Sequence, residues 1–122
     1  MGSLISKVFS KVKSENRPAL LTYTVAGDNT KKKSLEILKS ISEHVDILEI
    51  GMPFNAPTAD GSQIQNSSYR ALKNGIKLKD VFQIVKDYKK VKMQSLVFLW
   101  DTIKWSIDMG RESLLKNVNK LV

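Results

Sequence analysis

Cysteine is absent from this chain, and histidine occurs once, at His44. No disulfide framework and no thiolate metal site can be built, and a lone imidazole near a helix end supports neither a metal cluster nor a catalytic triad. The missing thiols leave the redox compartment open. Long apolar runs are missing too, since none approaches the roughly 18 residues needed to cross a bilayer. Leu4, Ile5, Val8, Phe9 and Val12 alternate with Ser and Lys, an amphipathic helix pattern rather than the continuous apolar core of a secretion signal. No membrane partner is expected, and the cytoplasm is the default location. Acidic residues are in the minority, 12 against 20 Lys and Arg, for a net charge of +8. The lysines are spread along polar helix faces, however, and no aromatics interleave with them as a stacking platform requires. The surplus bears on solubility and non-specific contacts, and no nucleic-acid partner is expected.

The composition is that of an ordinary globular chain, 42% apolar and 26% charged, and 122 residues make one domain at most. Residues 3–14 read as a helix with its stripe at 5, 8, 9 and 12, ended by Asn16-Arg17-Pro18. Residues 19–25 read as a buried strand and residues 26–29 as a turn, with Asn29 or Thr30 capping the next helix. That helix places Leu35, Leu38, Ile41 and Val45 on one face, with Ile37 alongside. A second strand follows at 46–51, then a long loop to Gly61. Residues 62–74 suit a helix closed by a left-handed Gly75. A further helix spans 77–90 with Leu78, Val81, Phe82, Val85 and Tyr88 inward. Residues 95–100 are a candidate third strand and 102–122 a candidate amphipathic helix. Strand, helix, strand, helix in this order is an α/β fold with parallel, right-handed connections.

Within this frame one stretch stands out, Glu49-Ile50-Gly51-Met52-Pro53-Phe54 through Asp60-Gly61. A strand apolar on both faces belongs in a parallel sheet covered by helices, and an acid at its end sits where such folds place their chemistry. Glu49 and Asp60 are the candidate catalytic pair. On the residues alone, Glu49 also reads as a paired structural acid, Asp60 before Gly61 as a turn residue, and Tyr23 as a core aromatic.

Residues 17–90 resemble the tryptophan synthase alpha chain family. The resemblance is carried by Arg17-Pro18-Ala19-Leu20, Thr24-Val25-Ala26-Gly27-Asp28, Ser34-Leu35-Glu36-Ile37-Leu38 and the run from Asp46 to Phe54. Pro57-Thr58-Ala59-Asp60-Gly61, Ile64-Gln65-Asn66 and the run from Arg70 to Gly75 complete it. The resemblance implies part of a (β/α)8 TIM barrel and a carbon–carbon lyase that cleaves indole-3-glycerol phosphate to indole and glyceraldehyde 3-phosphate. It implies that Glu49 transfers protons at the indole ring carbon and the side-chain hydroxyl. Asp60 would steady charge developing at the indole N–H, and Tyr23 would line the indole pocket. No cofactor is implied for this chain, and its partner would be the pyridoxal-phosphate-bearing beta chain.

Asn55-Ala56 stands where the family has Ser-Asp, which weakens the expected contact with the beta chain. Ser62 and Asn29 replace customary prolines. A barrel of this kind runs to roughly 250 residues, with its phosphate site usually in the last loops, so the 122-residue chain is expected to be inactive alone and prone to associate. The alternative is a non-catalytic remnant or half-barrel interaction module. Residues 93–122 are expected to be an out-of-frame tail joined to a family-like portion at 1–92. Trp100 to Trp105 can be encoded TGG GAT ACT ATA AAA TGG. With a Leu99 codon ending in A, the frame one base earlier reads Met-Gly-Tyr-Tyr-Lys-Met, close to the family's Met-Gly-Tyr-Tyr. The A-rich codons of 89–92 are a place for slippage.

Overall fold

The computed structural model describes residues 4–55 and 60–91, and the backbone of 96–100. The elements run α1 (Leu4–Ser14), β1 (Leu21–Val25), α2 (Lys31–Ser42), β2 (Ile47–Gly51), α3 (Ser62–Lys73), α4 (Leu78–Lys90) and β3 (Leu96–Trp100). The three strands form one parallel sheet in the order β1-β2-β3. Each new strand therefore adds on the same side, as in a barrel sector, whereas a doubly wound sheet reverses direction.

The helix boundaries have local causes. Asn16 adopts φ 51°, and Arg17 N–H returns to the Val12 carbonyl at 3.1 Å, which ends α1 ahead of Pro18. Thr30 is the N-cap of α2, its hydroxyl accepting from Lys33 N–H at 3.0 Å. Gly75 takes φ 76°, and Ile76 N–H reaches back to the Ala71 carbonyl at 3.2 Å, so α3 closes in the left-handed turn its sequence announces. The Asp80 carboxylate accepts from Lys77 N–H at 2.9 Å and from Lys31 Nζ at 2.7 Å, which starts α4 and ties it to α2.

Strand residues alternate between faces. Leu48 and Ile50 are fully buried among Leu38 of α2 and Val81, Val85 and Tyr88 of α4, so the even-numbered positions of β2 face the helices. The odd-numbered positions, Ile47, Glu49 and Gly51, occupy the other face, which is the inside of a barrel. The third helix does not act as the crossover; that is α4, beside α2. Instead α3 lies against β1, pinned by Arg70 pairing with both Asp28 oxygens at 2.8 Å and by Asn74 donating to the Asn29 carbonyl.

The observed stripes differ from expectation at four residues. Val45 lies beyond the end of α2 at Ser42, although it still packs against the core. Phe9 is half exposed and Ile37 is exposed, because among the described residues nothing covers those helix faces. Ile84, which falls outside the expected face of α4, is buried. The first strand also starts at Leu21 rather than residue 19. Leu20 spends its N–H on the Asp46 carboxylate and its carbonyl on Asp46 and Ile47, as a corner rather than as a rung of the ladder. The helix expected at 102–122 and the out-of-frame reading beyond 100 lie outside the described residues.

Candidate active site

At the amino end of the sheet, Asp46 is fully engaged. Arg17 grips its two oxygens at 2.7 and 2.8 Å, and Leu20 N–H donates at 2.9 Å. The Arg17 hydrogen bonds, and then that of Leu20, hold the Asp46 carboxyl at about 2, below the usual carboxylate range. Asp46 is thus committed to closing the corner between β1 and β2.

Glu49 is the next acid along the chain and meets different surroundings. It sits near the carboxyl end of β2, half buried, on the face away from the helices. Among the described residues its carboxylate has neither a hydrogen-bond nor an ion-pair partner. Its register partner on β1 is Tyr23, so the two side chains leave the sheet on the same face, one strand spacing (about 4.8 Å) apart.

After Gly51 the buried residues Met52 and Pro53 turn the chain off the sheet. Residues 56–59, including Ala56, are not described; Asn55 is exposed. The loop returns at Asp60, where Gln65 Nε2 donates to the Asp60 carbonyl at 2.8 Å, and α3 begins two residues later. The Asp60 side chain is exposed and, among the described residues, unpaired.

The Tyr23 phenol registers both acids. Burial pushes its pKa up first, followed by the negative charges of Asp60 and then Glu49. Tyr23 and Glu49 thus share a face by register, and both carboxylates lie within electrostatic reach of the Tyr23 phenol. These three residues offer an apolar ring, a hydroxyl and two carboxylates, groups able to exchange protons and to line an apolar wall. No group of His, Asp and Glu able to hold a metal occurs among the described residues, and His44 is exposed just beyond α2.

Gly51 was not singled out by sequence reasoning. A β-carbon there would overlap the Tyr23 hydroxyl and Cζ and come 2.9 Å from Cε2. The i, i+2 spacing of Glu49 and Gly51 is visible in the sequence; the ring that fills the gap arrives from another strand.

Known proteins resemble this chain in sequence and in fold. The family model described as tryptophan synthase alpha chain matches residues 9–122, a stretch that includes the segment expected to be out of frame. A tryptophan synthase alpha chain from Pelagibacter ubique is 70% identical over 97 residues, covering 80% of this chain and 37% of that protein. In the solved tryptophan synthase complex from Pyrococcus furiosus, the similar chain is 35% identical with a TM-score of 0.80, over 84% of this chain and 42% of that one. Tryptophan synthase subunit alpha from Legionella pneumophila gives a TM-score of 0.90 at 25% identity, over 99% of this chain and 47% of that one. The chain spans less than half the length of each of these relatives, and its parallel βαβα units match that part of their TIM barrel. It belongs to the tryptophan synthase alpha chain family.

Proposed function

We propose that this chain carries the carboxylate-bearing sector of an indole-3-glycerol-phosphate lyase, which splits its substrate into indole and glyceraldehyde 3-phosphate for tryptophan biosynthesis. The observation that carries the reading is the unpaired Glu49 carboxylate at the carboxyl end of β2, on the face shared with Tyr23. Breaking the carbon–carbon bond requires a proton delivered to the indole ring carbon and one removed from the side-chain hydroxyl. One carboxyl group able to exchange protons serves both needs. An anion near the indole N–H stabilises the positive charge that develops there, and Asp60 is the group for it. Tyr23 supplies an aromatic wall for the indole.

No cofactor takes part in this half of the reaction. The partner is the beta chain, met through a loop in which Asn55 and Ala56 have lost the family's acid. The cytoplasm is the compartment. For the gene we propose slippage at codons 89–92, supported by the unique Trp codons at 100 and 105, and sequencing of that A-rich stretch checks it.

The test of function is a completed barrel. Residues 1–92 are fused to the corresponding remainder of the Pelagibacter ubique alpha chain and assayed for indole release from indole-3-glycerol phosphate. Turnover supports the lyase reading. A folded fusion that releases no indole, while a complete Pelagibacter ubique chain does, leaves the non-catalytic module as the better description.

A further inference from the structure

Tyr23 does not stand upright beside its register partner. It leans diagonally along the sheet, from its place opposite Glu49 to a point two residues further on, where its hydroxyl and Cζ lie over Gly51. Diagonal neighbours in a sheet are within reach of an aromatic side chain. Gly51 does not adopt a positive φ, unlike Gly27 and Gly75, so backbone conformation does not demand a glycine there. Space does.

Building on the lyase reading above, we infer that Gly51 is a positioning residue whose bare Cα seats the Tyr23 hydroxyl at the carboxyl end of β2. The seat fixes the ring as a wall beside the Glu49 carboxylate, below the loop that brings Asp60. Any β-carbon at 51 forces the ring to swing about χ1, because Cζ and the hydroxyl lie on the χ2 axis and the rigid phenol cannot shorten. The ring then lifts into the space the indole would occupy. Burial of the phenol and its exposure to the two carboxylate charges both follow from this seating.

The inference separates two roles inside the Glu49-Ile50-Gly51 unit. Glu49 moves protons, while Gly51 touches neither substrate nor proton and acts through Tyr23. Gly51→Ala should therefore raise KM more than it lowers kcat, by about 10-fold or more for one added methyl in a fitted pocket.

Position is read directly in the 122-residue chain labelled with 13Cζ-tyrosine, the Tyr23 resonance being assigned by its loss in Tyr23→Phe. In the unsubstituted chain it should titrate above the ordinary phenol value of about 10. In Gly51→Ala its shift and titration should return toward that of an exposed tyrosine. An unchanged Tyr23 resonance would overturn the inference. Should Gly51→Ala not fold, urea midpoints are compared with Gly51→Ala placed in a Tyr23→Ala background. The alanine should be tolerated once the ring is gone, and an equal loss in both backgrounds would also overturn the seat. A displaced ring with unchanged KM in the completed barrel refutes the positioning role and leaves the lyase reading intact. A completed barrel that releases no indole refutes the lyase reading and any catalytic use of the seat, whereas the Tyr23 resonance still decides whether the seat exists.

Discussion

Asp46, just ahead of β2, and Glu49, near the end of β2, are three residues apart, and the chain treats them in opposite ways. Asp46, at the amino end, is held by three hydrogen bonds from Arg17 and Leu20 and kept ionised down to about pH 2. Glu49, at the carboxyl end, is half buried and has no partner among the described residues. A half-buried carboxylate without a partner costs stability, so its presence calls for a use other than holding the fold. Parallel α/β architecture supplies the reason for the asymmetry. Loops at the carboxyl ends of the strands build the site, and the amino ends can be stitched shut. Not every acid at the carboxyl end is free: Asp28 is spent on Arg70 and Asp80 on Lys31. Those pairs tie α3 to the turn after β1 and α4 to α2.

Several substitutions sharpen the contrast. The largest effect is expected for Glu49→Gln in the completed barrel, where an amide cannot exchange the proton and indole release should fall by about 100- to 10,000-fold. Leu48→Ala, one residue earlier but on the helix-facing side, should lower stability by about 2–5 kcal/mol through a core cavity. Its effect on turnover per folded molecule should be slight, as judged by urea unfolding and by assays corrected for folded fraction. Asp60→Asn should reduce indole release less than Glu49→Gln, because the amide keeps a dipole where the carboxylate had charge; steady-state assays of the two variants side by side check the order.

Two pH effects are smaller. Since Asp46 titrates lower in the folded chain, its contribution is fully present above about pH 4, the unfolded value, and is lost as pH falls toward 2. Asp80 shifts in the same direction, through Lys31 and the Lys77 N–H. Asp46→Asn should accordingly flatten the acid limb of urea midpoint against pH. The Tyr23 phenol is raised, by burial first, so its contribution is present below about pH 10 and lost as pH climbs past that value. Tyr23→Phe should remove that part of the alkaline loss.

Much of this organisation was legible in the chain itself. The helical stripes, Thr30 before α2, Gly75 after α3 and the two-faced apolar β2 mark their elements through periodicity and punctuation, which are local properties. Glu49 and Asp60 stand out as candidates through strand-end placement and the family resemblance. The clamp of Arg17 on Asp46 and of Arg70 on Asp28 was not legible, because residues 29 and 42 positions apart meet only once the sheet has formed. Phe9 and Ile37 read as core because apolarity is local, whereas burial depends on which neighbours arrive. Gly51 belongs with the illegible part: its use depends on the register of Tyr23 against Glu49 across two strands.

The most direct measurement is a matched pair of carboxylate-to-amide substitutions, Asp46→Asn and Glu49→Gln, compared by urea midpoint at neutral pH in the completed barrel. Asp46→Asn should lower the midpoint without changing the slope, since it removes the charge that Arg17 and Leu20 hold. Glu49→Gln should leave the midpoint where it was or raise it, since it relieves an unpaired, half-buried charge. A Glu49→Gln midpoint that falls as far as that of Asp46→Asn would contradict the account and make Glu49 a structural acid like its neighbour.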